Sequence, residues 1–205
     1  MRQMFVKTAV ALALAAPLFA QAESTFTTGT GSPLTASARL DFRITIPKII
    51  YLRVGTGSNL ATNSAIDLID ITVPGASVGN GTAVAASATS GDLGNGTVTA
   101  SLIGNNGTIT FTSTTLGALS NGAGDTISYS QISTAVATNT SATALPHPTL
   151  TDGGTGTVTL TPAAKVINQD AKWTFSYLNA ATVPAGTYGG VNTNNGRVTY
   201  TASMP

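Results

Sequence analysis

The chain has 205 residues and a formal net charge of +1, and Asp, Glu, Lys and Arg together make up only 8% of it. Charge this sparse excludes the basic footprint of a nucleic-acid binder and offers little repulsion against self-association. Cysteine is absent and histidine occurs once, which removes a disulfide framework and leaves no ligand set for a structural zinc.

Residues 1–22 read as a secretory signal peptide. Arg2 and Lys7 give a positive start, an apolar run follows over 8–20, and Ala20, Gln21 and Ala22 form a small-residue cleavage site. The run is too short for a membrane anchor, and no later stretch approaches the ~18 apolar residues of a spanning helix. The mature chain is therefore expected in the periplasm, then at the cell surface or outside the cell, with no membrane span. It is long enough to bury a core without disulfides, so packing or assembly must stabilise it.

Residues 23–37 are Thr, Ser and Gly with two isolated apolar side chains, Phe26 and Leu34. They read as a flexible leader, or as an arm that orders only against a partner. The domain proper is expected over residues 38–205. It opens with Leu40, Phe42, Ile44 and Ile46 alternating with Arg39, Asp41, Arg43 and Thr45. Successive strand side chains point to opposite faces, so this pattern predicts a strand with one apolar ridge and one charged face. Pro47 has no N–H for a ladder and interrupts it. A second strand is predicted over 49–54, ended by Gly55. Such a ridge can serve its own domain or a neighbour's.

Farther along, Ile66 and Leu68 alternate with Asp67, and Ile69, Ile71 and Val73 continue in the opposite phase, which predicts a strand with a β-bulge or bend. Pro74 and Gly75 close it. Asn-Gly pairs at 80, 95, 106, 121 and 195 mark tight turns, because both residues tolerate positive φ. The clearest predicted hairpin joins Val98, Ala100 and Leu102 to Ile109 and Phe111 through residues 104–107. A strand is predicted over 126–132 and a long surface loop over 133–152. Order returns over 157–161, 171–178 and 187–202. There Trp173, Phe175, Tyr177, Tyr188 and Tyr200 are expected to form the thickest core, facing the ridge of residues 40–46. No helix is predicted beyond the signal peptide. Many short alternating strands with Gly, Asn and Pro turns predict an all-β fold, an antiparallel β-sandwich of immunoglobulin-like topology without its disulfide.

Little in the chain points to catalysis. A Ser-His-Asp arrangement would have to use His147, which sits between Pro146 and Pro148 and reads as a solvated loop residue. Asp67 and Asp70 fall on opposite strand faces and do not share a cation. Asp92, Asp125 and Asp152 lie in Gly-rich loops without a calcium spacing motif. The Asp152 to Gly156 run has glycines but neither the Lys nor the helix of a phosphate loop, so a β-turn is the expectation. Sequons at Asn80, Asn95, Asn106 and Asn139 matter only in a eukaryotic route, and three of them coincide with the Asn-Gly turns. The Trp173, Phe175, Tyr177 stripe would stack on carbohydrate if exposed; core is the expected role. No metal and no cofactor are expected, and the chain is not read as an enzyme.

Two places resemble pilin subunits of the chaperone–usher kind. One is the polar leader running into the alternating residues 40–46. The other is Pro184, Ala185, Gly186, Thr187 and Tyr188 followed by the alternating residues 197–202. The resemblance implies an immunoglobulin-like sandwich lacking one strand, a gap filled first by a periplasmic chaperone and then by the N-terminal extension of a fellow subunit. The chain departs from that pattern in having no cysteine pair, a leader without regular large apolar residues, and an extra hairpin over 189–196. Strand exchange would then fall to Leu40, Phe42, Ile44 and Ile46, with Pro47 as hinge. The reading is a structural subunit of a bacterial fibre or pilus, self-assembling or joined to fellow subunits. The alternative is a stand-alone secreted adhesin or carbohydrate-binding sandwich.

Overall fold

β-Branched and aromatic residues at period two, broken by Gly, Asn and Pro, can bury one face only by laying sheet on sheet. The computed structural model, which describes residues 23–205, shows this arrangement. The expected signal peptide lies outside the described residues. The chain divides into two units, Met1–Ile46 and Pro47–Pro205, so the compact body begins at Pro47 rather than at residue 38.

In the first unit the leader doubles back on itself. The Thr25 hydroxyl donates to the Ser37 carbonyl at 2.7 Å, the Thr27 hydroxyl to the Thr35 carbonyl at 3.3 Å, and the Arg39 guanidinium to both Glu23 oxygens at 2.6 and 3.1 Å. These contacts step inward by two residues on each arm, as in an antiparallel hairpin closed over residues 30–33. Side chains make them, no backbone ladder forms, and every residue from 23 to 46 is exposed. Residues 40–46 were expected to be a paired strand and to face the aromatic core. They join no ladder, and Leu40, Phe42, Ile44 and Ile46 are 65%, 84%, 85% and 77% exposed.

The second unit holds ten strands: β1 (Ile50–Val54), β2 (Val84–Ala85), β3 (Thr97–Gly104), β4 (Ile109–Thr114), β5 (Leu119–Ser120), β6 (Thr126–Ile127), β7 (Ile132–Thr138), β8 (Thr155–Leu160), β9 (Ile167–Tyr177) and β10 (Thr199–Ser203). All pair antiparallel. One sheet runs β1-β3-β9-β2 with β7 also on β9; a second runs β10-β4-β8; β5 and β6 form a small ribbon. Val98, Ala100 and Leu102 of β3 and Ala171, Trp173 and Phe175 of β9 pack against Ile109 and Phe111 of β4 and Leu160 of β8 in one apolar cluster. Phe111 and Trp173 stack with centroids 6.0 Å apart. Trp173 Nε1–H donates to the Leu145 carbonyl at 2.9 Å, so its one polar atom is satisfied where the ring is fully buried.

Several expected elements take a different form. β3 and β4 are not a hairpin: they belong to different sheets, and residues 105–108 carry the chain across the core. A side chain at Gly104 would sit 2.5 Å from Ile109 Cδ1, so glycine lets the crossing be this close without moving the Ile109 side chain. Residues 66–73 form no bulged strand. The Asp70 N–H is taken by Ser90 Oγ at 2.8 Å and its carbonyl by the Ser87 N–H at 2.9 Å, so local partners replace a ladder. β7 occupies the start of what was expected to be a loop, because pairing with β9 places Ile132 and Thr134 beside Tyr177 and Phe175.

Candidate functional site: an open groove between two sheet edges

β1 ends one sheet and β10 ends the other, and each pairs with a neighbour on one side only. At one end the two edges converge, where Lys48, Ile49 and Ile50 lie beside Ala202, Ser203 and Met204. Asn105 fastens this end. Its Nδ2 donates to the Pro47 carbonyl and its Oδ1 accepts from the Ile49 N–H, both at 2.8 Å, while Asn106 Nδ2 reaches the Pro205 carbonyl at 2.8 Å.

Toward the other end the edges part and leave a groove of about 570 Å³. Leu52 and Val54 of β1 flank it, continued by Ile66, Leu68, Ile69 and Ile71. Val198 and Tyr200 flank it opposite, continued by Gly190, Val191 and Asn192. Two of its lining side chains, Val98 and Phe175, are buried members of the core. The lining is apolar except for a few groups, and among the described residues its charged members are Asp67 and Arg197. The Asp67 carboxylate accepts from the Thr56 N–H at 2.5 Å and hydroxyl at 2.8 Å, which pins residues 66–71 on the β1 side. Arg197 is half-buried, and the one ion pair among the described residues is Arg39 with Glu23.

Under the β10 wall lies an aromatic nest. His147 packs edge-on against Trp173 at 4.7 Å, Phe175 at 5.4 Å and Tyr200 at 5.6 Å between ring centroids. It is not the solvated loop residue expected from its flanking prolines. Pro148 is fully buried and draws the loop inward. Burial pulls the His147 imidazole down to about 4, so it is neutral near pH 7. Its Nε2 shares a 2.7 Å hydrogen bond with the Tyr200 hydroxyl, whose acidity burial weakens well beyond the ordinary phenol range. Tyr129, also on the groove, donates its hydroxyl to the Asn195 carbonyl at 2.7 Å; burial first, then the nearby Asp152 charge, push it up to about 12. Among the described residues the ring of His147 hydrogen-bonds the Tyr200 hydroxyl and no serine, threonine or carboxylate.

Of the residues expected in the core, Trp173, Phe175 and Tyr177 are buried. Tyr200 is half-buried and packs on the cluster. Tyr188 lies outside it, half-buried, because its hydroxyl bonds locally to the Pro184 carbonyl at 2.8 Å. The loop carboxylates are tied up singly: Asp92 accepts from the Thr99 N–H, Asp125 from Asn121 Nδ2 and Asp152 from the Tyr129 N–H. Among the described residues no three His, Cys, Asp or Glu side chains converge as metal ligands. Asp170 had no assigned role in the sequence. Burial alone would raise its pKa, but hydrogen bonds from Thr140 and Ser141 outweigh that and hold its carboxyl well below the usual carboxylate range. It clasps the 139–141 turn to β9. Comparison with known families, curated proteins and solved structures finds nothing that matches this chain.

Proposed function

We propose that this chain is a non-enzymatic structural subunit of a bacterial surface fibre, an immunoglobulin-like sandwich short of one strand. One copy lends residues 39–46 to the groove of the next. The coexistence of two unfilled halves carries this reading: an apolar ridge with no ladder partner, and an apolar groove with an open sheet edge along its β10 wall. A strand laid in the groove satisfies backbone groups on an open edge and buries alternate side chains at once. Four ridge residues at ~1.5–3 kcal/mol each give a large gross gain before ordering costs.

The Asn105 clasp disfavours closure of the ridge beside its own β1. A ridge folding back beside its own β1 would have to reverse within residues 47–49, where the Pro47 carbonyl and Ile49 N–H are already bonded to Asn105. Export to the periplasm, with a chaperone guarding the groove until a fellow subunit arrives, belongs to the same reading.

Sedimentation velocity tests it. The full chain is expected to form oligomers, a chain lacking residues 38–46 to stay monomeric, and a synthetic peptide of residues 38–47 to bind that monomer. A deletion that still assembles, or a monomer that ignores the peptide, would contradict the reading.

A further inference from the structure

The geometry points to Arg197 as the residue that sets the register of the inserted strand, by pairing with Asp41 of the incoming copy. This rests on the strand-exchange reading and adds a specific alignment to it.

The β1 side of the groove is already occupied by residues 66–71, held by the Asp67–Thr56 bonds, whereas the outer edge of β10 is free. On β10, Tyr200 and Ala202 face the core, while Thr199, Thr201 and Ser203 face out. Arg197 stands two residues before β10 and lines the groove together with the outward-facing Thr199. A strand that joins this edge with Leu40, Phe42, Ile44 and Ile46 pointing in must turn Arg39, Asp41, Arg43 and Thr45 out, next to that set.

A one-residue slip would put the ridge in solvent and is excluded by burial. Slips of two residues keep the ridge inside and are told apart only by the outward face. Asp41 beside Arg197 makes an attractive cross-strand pair. A slip by two in either direction puts Arg39 or Arg43 there instead, cation against cation. The alignment is parallel: it sets residues 42–46 beside 198–202, whereas an antiparallel strand with Asp41 at Arg197 would carry the ridge off β10 onto residues 192–196. Asp41 is also the only acid on the ridge segment, and it is exposed and outside the one ion pair described.

The test is a charge swap in the full chain, read as oligomer dissociation rate with circular dichroism as a check on folding. Asp41→Lys and Arg197→Glu are each expected to speed dissociation roughly three- to tenfold, and together to restore it, with the effect shrinking at high salt. Arg197→Lys should stay close to the parent. Single variants that weaken assembly with no recovery in the double variant would overturn the pairing. So would single variants without effect while Ile44→Asp abolishes assembly, which leaves strand exchange standing. If Ile44→Asp also assembles normally, strand exchange falls with it.

Discussion

The Tyr200 hydroxyl lies 2.7 Å from Nε2 of His147, and this bond joins the wall of the groove to the centre of the core. Tyr200 lines the groove on one side and sits 5.6 Å from Trp173 and 6.1 Å from Phe111, centroid to centroid, on the other. The groove wall is therefore continuous with the core behind it.

Acid should loosen this wall. The native His147 holds its proton only near pH 4, whereas the unfolded residue takes one near 6.5. Below pH 6.5 the unfolded chain binds a proton that the folded chain refuses, so stability falls from 6.5 down to about 4 and then levels for this group. The loss is on the order of 3 kcal/mol. Asp170, with its depressed pKa, stabilises the fold above its unfolded value of 3.8 and adds a further loss as pH drops below it. Urea midpoints measured from pH 8 to pH 3 check this. His147→Gln should flatten the upper part of the decline, and an unchanged slope would contradict the account.

Two Asn-Gly glycines should respond differently to one methyl group. Gly96 has φ +73°, and a Cβ there would lie 2.7 Å from Ala86 Cβ and 2.8 Å from the Phe175 carbonyl oxygen. Gly81 has φ +74° and open space around it. Gly81→Ala is expected to cost about 1 kcal/mol for the backbone alone, and Gly96→Ala clearly more, because the turn must move as well. Thermal melts of the two variants should separate by several degrees.

Asn105→Ala removes both bonds that hold residues 47–49. Stability should drop by about 1–2 kcal/mol. The freed segment should also let the ridge fold onto its own body, raising the monomer fraction in sedimentation. Stability lost with no change in the monomer fraction would mean that the clasp is structural only.

How much of this was legible in the chain depends on which partners each element needs. Trp173, Phe175 and Tyr177 announce a core stripe because period two in a long strand has one buried face, whatever lies opposite. The hairpin expected across residues 98–111 was unreadable for the converse reason. Val98 and Phe111 point into one core whether their strands are neighbours or belong to opposite sheets, and the alternation is the same in both cases. His147 misleads because flanking prolines signal a loop, and nothing local says that Pro148 is buried. The ridge is visible as a pattern, but the groove is not, since it is made by residues as distant as Leu52, Ile132 and Tyr200.

The absence of cysteine offers the most direct test of the central claim, because any disulfide must then join introduced residues. Ile44→Cys chains mixed with Val198→Cys or Val54→Cys chains and oxidised mildly should give a covalent dimer of two different copies. Chains carrying both substitutions should give ladders on a denaturing gel. A disulfide confined within single chains, or none in either mixture, would contradict the lending of residues 39–46 from one copy to the next.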